Sequence, residues 1–182
     1  SNRVAKKVAS QAAKNLVPTT LELGGKSPTI IGTNANMALA AERILFSKTL
    51  NAGQICLSPD YIFVKKNEER NLISELQKAY SKFFPEPNSD NQTSMVNNHH
   101  LKRINSYLLD ATKKGATVES LGKNDDLDKN MISTKIVTEV NDDMDVMKYE
   151  IFGPILPIMT YERIRDVVHY INKNDNPLGL YY

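Results

Sequence analysis

Residues 19–32 read Thr19-Thr20-Leu21-Glu22-Leu23-Gly24-Gly25-Lys26-Ser27-Pro28-Thr29-Ile30-Ile31-Gly32. The apolar–polar pattern from Thr19 to Leu23 predicts a strand that runs into Gly24-Gly25. Thr29-Ile30-Ile31 predicts a second short strand, closed by Gly32. A strand that stops at paired glycines leaves its backbone open to close approach, a common place for a ligand.

Working outward, residues 3–16 carry Val4, Val8, Ala12 and Leu16 near a 3.6 period, so a helix is expected there, ending before Pro18. Asn34 or Asn36 can cap a second helix that reaches about Thr49 with Met37, Ala41, Ile44 and Leu45 on one face. Tyr61-Ile62-Phe63-Val64 reads as a buried strand. Asn67 then caps a helix over Leu72, Leu76, Tyr80 and Phe83, stopped by Pro85 and Pro87, with polar loop over 86–95. A further helix spans about Asn98 to Lys114 on Leu101, Ile104, Tyr107, Leu108 and Ala111, ended by Gly115. Strands are expected at about 116–121 and 132–140, an extended segment from Tyr149 to Met159 broken by Gly153-Pro154, a helix from Arg163 to Asn172, and a strand beginning at Leu178. Strands alternating with amphipathic helices imply an α/β fold, an open twisted sheet with helices packed on it.

The chain has 182 residues, 41% hydrophobic and 24% charged, enough for one sizeable core. Its 23 basic and 21 acidic residues are mixed along the chain, which argues against a nucleic-acid or membrane surface and for a small molecule or another subunit as partner. No stretch approaches the roughly 20 apolar residues of a membrane-spanning helix and no signal segment opens the chain, so a cytoplasmic location is expected. The opening Ser1-Asn2 and the apolar ending Gly179-Leu180-Tyr181-Tyr182 read as cut ends, and a fragment of a larger protein is the expectation. Apolar surface that the remainder would cover should then be exposed.

Cys56 is the one cysteine, so its use is packing or chemistry rather than an internal disulfide. A free cysteine is more often a small buried hydrophobe. Its neighbours favour chemistry: Gly53-Gln54 before it and Ser58-Pro59 after it place it in a short irregular connection.

Three segments together resemble the signatures of the aldehyde dehydrogenase superfamily. Leu21-Glu22-Leu23-Gly24-Gly25-Lys26-Ser27-Pro28 looks like its general-base signature, and Asn51-Ala52-Gly53-Gln54-Ile55-Cys56 like its nucleophile signature. Glu150-Ile151-Phe152-Gly153-Pro154 looks like its cofactor-contacting signature. The run Cys56-Leu57-Ser58-Pro59-Asp60-Tyr61 looks most like the class-3-like branch, which holds fatty-aldehyde and coniferyl-aldehyde dehydrogenases.

The resemblance implies a catalytic domain from residue 21 to 182, truncated at its C-terminal end. Residues 1–20 are then the helix and linker that end a nucleotide-binding domain. It implies NAD or NADP as cofactor, an aldehyde substrate, and a parent that is a homodimer or higher homo-oligomer. Cys56 then adds to the aldehyde, and the tetrahedral adduct collapses to a thioester as hydride leaves for the nicotinamide. Glu22 activates the hydrolytic water. The Cys56 backbone N–H is one oxyanion donor, and a second, an asparagine, lies in the absent N-terminal part. Glu150 holds the nicotinamide ribose, Phe152 lies near the ring, and Leu23 and Gly24 belong to the cofactor side. CoA-acylating relatives generally lack the base at the Glu22 position, which argues against that branch.

Read singly, each residue has a plainer use: Glu22 as a surface carboxylate, Gly24-Gly25 as a turn, Glu150 as a solvated loop residue, Phe152 as core. Lys26 reads at least as well as a structural ion pair as a cofactor neighbour. His99-His100 diverge by about 100° on a helix and carry no metal-site spacing, so no metal is expected. A cysteine hydrolase pairing Cys56 with one of them is a third reading. The Lys123–Lys129 run lacks a calcium loop's glycine and reads as a solvated turn. With the nucleotide turn and the asparagine donor outside it, the isolated chain is expected to be inactive, an interaction domain at most.

Overall fold

A computed structural model describes residues 2–85, 92–123 and 125–182. Five strands form one sheet: β1 (Pro28–Ile30), β2 (Tyr61–Lys65), β3 (Thr117–Ser120), β4 (Lys135–Thr138) and β5 (Ile155–Tyr161), in the spatial order β1-β2-β5-β4-β3. All neighbours run parallel except β3, which pairs antiparallel with β4 at one edge.

The central strands explain the two-sided packing. In β2 the apolar run is continuous because both faces are covered, as expected for parallel strands. Tyr61 and Phe63 point into one core, with Leu101, Ile104, Tyr107 and Ala111 of α4 (Asn98–Lys113) and Val167 and Ile171 of α6 (Ile164–Lys173). Ile62 and Val64 point into the other, with α2 (Met37–Thr49) and α3 (Glu69–Phe83). Asn36 caps α2, its side chain accepting the Leu39 N–H at 3.1 Å.

Four expectations need correction. Residues 19–23 are not a strand: they run irregularly to β1, which gains its backbone partners from Tyr61–Phe63 on one side and Tyr181 on the other. Asn67 does not cap α3; it lies in a 3-10 turn over Lys66–Glu68 that leads into the helix. The helix expected over residues 3–16 is α1 (Asn2–Lys14), which stops short of Leu16, and its Val4 and Val8 are exposed while Ala5 is turned inward. The Leu178–Tyr182 strand is reduced to a single bridge, Thr29 to Tyr181.

In the 123–129 run, Asp125 pairs with the buried Lys135 at 2.6 Å, tying this turn to β4; Asn124 lies outside the described residues, as does the 86–91 part of the polar loop. The short helix α5 (Asp145–Lys148) precedes the Tyr149–Pro154 segment, which stays irregular until β5 begins. Among the described residues no helix is long and apolar enough to cross a membrane.

Candidate active site

Each of the three singled-out segments leads into one of three adjacent parallel strands. Glu22 and Gly24 precede β1, Cys56 precedes β2, and Glu150 and Phe152 precede β5. Because those strands are parallel, their N-terminal ends share one edge, and the segments converge there. Ligands of open α/β sheets more often gather at the opposite, C-terminal edge.

The Cys56 loop is shaped by an unusual backbone. Asn51, Ala52 and Gly53 are consecutively left-handed, with φ of 51°, 54° and 72°. Such a run costs energy for non-glycine residues and persists only where its surroundings hold it. Here Gln54 supplies the hold: its amide donates to the Asn51 carbonyl at 2.9 Å and the Ser94 carbonyl at 3.2 Å, and its Oε1 accepts the Val96 N–H at 2.9 Å. A side chain at Gly53 would place its Cβ 2.5 Å from the Gly153 carbonyl oxygen, so this loop packs backbone to backbone on the third segment. Cys56 emerges from it exposed. Among the described residues its amide N–H donates to no acceptor, which leaves it free for an oxyanion.

A buried charge cluster lies behind the loop. Asp60, 3% exposed, accepts the Ile151 N–H at 2.9 Å and pairs closely with Lys26. The Lys26 ammonium also donates to the carbonyls of Val146 at 2.9 Å and Tyr149 at 3.1 Å. One ion pair therefore joins all three segments, and Lys26 is a structural cation. Beside it, Lys48 of α2 is buried and donates to the Pro59 carbonyl at 2.8 Å. Burial pulls its ammonium down to about 8, against the favourable pull of Asp60.

Glu150 meets the first segment directly. Its carboxylate lies against Gly24, in the space a Cβ there would take, and accepts the Gly25 N–H. Burial, then the charge of Asp60, raises its carboxyl above the ordinary value. Phe152 is partly exposed and left-handed at φ 46°.

The structure thus brings Glu150, Gly24 and the Cys56 loop together. Glu22 is exposed, and among the described residues no hydrogen bond or ion pair joins it to Cys56. Leu23 is half-buried beside it. His99 and His100 face each other edge-on at 5.6 Å, and among the described residues neither ring bonds to Cys56.

The sequence profile of the aldehyde dehydrogenase family matches residues 1–181. This chain belongs to the aldehyde dehydrogenase family. It is 44% identical to a probable coniferyl aldehyde dehydrogenase of Caulobacter vibrioides over 98% of its own length and 38% of that protein's. It is 34% identical to aldehyde dehydrogenase family 3 member B2 of Mus musculus over the whole chain and 37% of that relative. A substrate-bound Staphylococcus aureus AldH shares the fold with a TM-score of 0.91 at 38% identity, over 99% of this chain and 39% of that one. A betaine aldehyde dehydrogenase from Staphylococcus aureus, solved with NAD+, gives a TM-score of 0.80 at 26% identity, over 92% of this chain and 34% of that one. This aldehyde dehydrogenase chain spans less than half the length of these relatives.

Gln54 and Asp60 stand in the quoted runs around Cys56 without a role assigned to them there, and Lys48 and Arg103 lie outside every quoted motif. Two carried a signal: Lys48 falls on the buried stripe of Ala41, Ile44 and Leu45, and Arg103 lies beside that of Leu101, Ile104 and Tyr107. A cation on or beside a core stripe is a reason to look for its acceptors.

Proposed function

We propose that the enzyme containing this chain oxidises an aldehyde to its carboxylic acid with a nicotinamide dinucleotide, by covalent catalysis at Cys56. The observation that carries this reading is the convergence of the Glu22, Cys56 and Glu150 segments on one sheet edge, with an exposed thiol whose own N–H is free.

As the thiolate, Cys56 Sγ bonds to the aldehyde carbon while the carbonyl π pair moves to oxygen, where the Cys56 N–H donates to it. Loss of hydride from that carbon leaves an acyl thioester on Cys56. A nicotinamide dinucleotide, when bound, supplies the acceptor for this hydride. Water then attacks the thioester, Glu22 takes its proton, and the thiolate departs as the acid forms.

The residues present fit such a cofactor. Ionised, Glu150 is an acceptor-only group matched to ribose hydroxyls, and the bare Gly24 backbone leaves room for its carboxylate. Leu23, Gly24 and Phe152 complete that side, Phe152 as an apolar surface for the ring. Because burial and the charge of Asp60 raise the Glu150 carboxyl, cofactor affinity should fall as pH drops towards its titration.

Residues 1–20 are proposed to end a nucleotide-binding domain and 21–182 to form the catalytic part, so that turnover belongs to the whole subunit. The relatives' names favour aromatic aldehydes such as coniferyl aldehyde as the first class to assay, with NAD and NADP both offered. A cytoplasmic homo-oligomer is the proposed state. Glu22 weighs against a CoA-acylating enzyme, whose thioester needs no hydrolytic base.

Cys56→Ser in the full-length enzyme tests the reading. Dehydrogenase turnover should fall by about a thousandfold or more while thermal stability holds. Retained turnover would exclude Cys56 as the nucleophile.

A further inference from the structure

Arg103 belongs to no signature segment, yet it grips one. From α4 its Nη1 donates to the Ile151 carbonyl at 2.7 Å and its Nη2 to the Phe152 carbonyl at 3.2 Å. The guanidinium lies 5.3 Å from the Tyr107 ring centroid, and Tyr107 stacks on Tyr149 at 6.4 Å with an interplanar angle of 16°. One helix therefore holds residues 149–152 at both ends, through a ring stack before Glu150 and a cationic fork after it.

The need for a grip is visible in the backbone. Phe152 is left-handed at φ 46°, a conformation an aromatic residue does not hold unaided. Successive carbonyls at a left-handed residue do not enter a strand ladder, and β5 begins only at Ile155. A planar guanidinium offers two N–H vectors in fixed relation and can satisfy both oxygens at once; a lysine ammonium is a single point donor. From the other side the Ile151 N–H is held by Asp60, so both backbone polar groups of Ile151, in the two peptide units that flank its Cα, are fixed.

We propose that Arg103 is the positioning residue of the Glu150–Phe152 segment, its fork fixing the left-handed turn at Phe152 and thereby keeping the Glu150 carboxylate against Gly24 and Gly25 for the cofactor ribose. The last clause rests on the cofactor reading of Glu150; the grip itself does not. Arg103 touches neither substrate nor cofactor in this role.

The test compares Arg103→Gln and Arg103→Lys with the wild-type full-length enzyme. NAD+ and NADP+ affinities are measured by equilibrium titration, KM and kcat by steady-state assay, and amide exchange of Ile151–Gly153 in the unliganded protein. In the Gln variant dinucleotide affinity should weaken by about tenfold or more, as expected for a lost charge-assisted pair, with KM for the dinucleotide moving more than kcat. Exchange should rise locally at 151–153, and added guanidinium ion at millimolar concentration should recover part of the affinity, with the Lys variant between the two. Unchanged affinity and exchange in the Gln variant would overturn the proposal. So would a loss that guanidinium does not restore and that comes with faster exchange across β2 and β4, since that describes a general loss of packing. If the wild-type enzyme binds neither dinucleotide, the cofactor reading of Glu150 fails and the proposal in its stated form falls with it, while the 151–153 exchange still reports whether Arg103 holds the turn.

Discussion

The segments from Asn51 to Asp60 and from Asn15 to Ser27 lead to the same edge of the sheet, and they are held in different ways. The first is fixed at nearly every step: Gln54 braces the left-handed turn, Lys48 holds Pro59, and Asp60 ties into Lys26 and Ile151. The second is irregular and mostly exposed until Lys26, and among the described residues no hydrogen bond reaches the Glu22 side chain. The proposed covalent chemistry would account for the difference. A nucleophile must meet its electrophile at one distance and angle, so its loop is over-determined. A base that activates water works through a mobile molecule and tolerates a looser mount.

The sharpest way to break this comparison is Gly53→Ala. The new Cβ falls on the Gly153 carbonyl at 2.5 Å, in a backbone already at φ 72°, so neither partner can yield cheaply. Unfolding in urea should show a loss of about 4 kcal/mol, the sum of overpacking and left-handed strain. A loss under about 1 kcal/mol would mean that the loop is not tightly packed on the third segment.

Lys48 gives the next largest effect and a pH signature. Its pKa lies near 8 in the folded chain and near 10.5 in the unfolded one. Below pH 8 it is charged in both states. Between those values the unfolded chain keeps a proton that the folded chain has released, so stability from this group rises with pH, by roughly 3 kcal/mol across the window. Stability of the wild type relative to Lys48→Met should therefore improve as pH goes from 7.5 to 10.5 by about that amount. A difference independent of pH would show that burial does not lower the Lys48 ammonium in the folded chain.

Gln54→Ala should cost about 2 kcal/mol, because the two carbonyls and one amide it serves lose their partner while only partly reaching water. At the loose end, Glu22→Gln should change stability by less than about 0.5 kcal/mol, as surface changes do. A larger loss would mean that the Glu22 segment is braced after all, and the contrast between the two segments would disappear.

Much of this was legible beforehand, and the rest was hidden for physical reasons. The buried faces of α2, α3 and α4 follow from 3.6 periodicity, and β2 from an apolar run of strand length. Residues 19–23 misled because a strand pattern needs a neighbouring strand, and the one at hand, β2, pairs only from Pro28 onward. Asp60 and Lys26 lie far apart in sequence, so their pairing is a product of topology: β1 and β2 are neighbours, and the residues before them meet. Arg103 reaches the third segment across a helix-to-loop contact that no local spacing encodes.

Rapid-quench turnover of Glu22→Gln in the full-length enzyme, followed by intact mass measurement, tests most directly the division of labour between the braced thiol and the loosely held base. The expected result is a burst of about one reduced dinucleotide per active site, then near-complete arrest, with the acyl mass located on Cys56. Absence of the burst, or steady turnover at the wild-type rate, would contradict it.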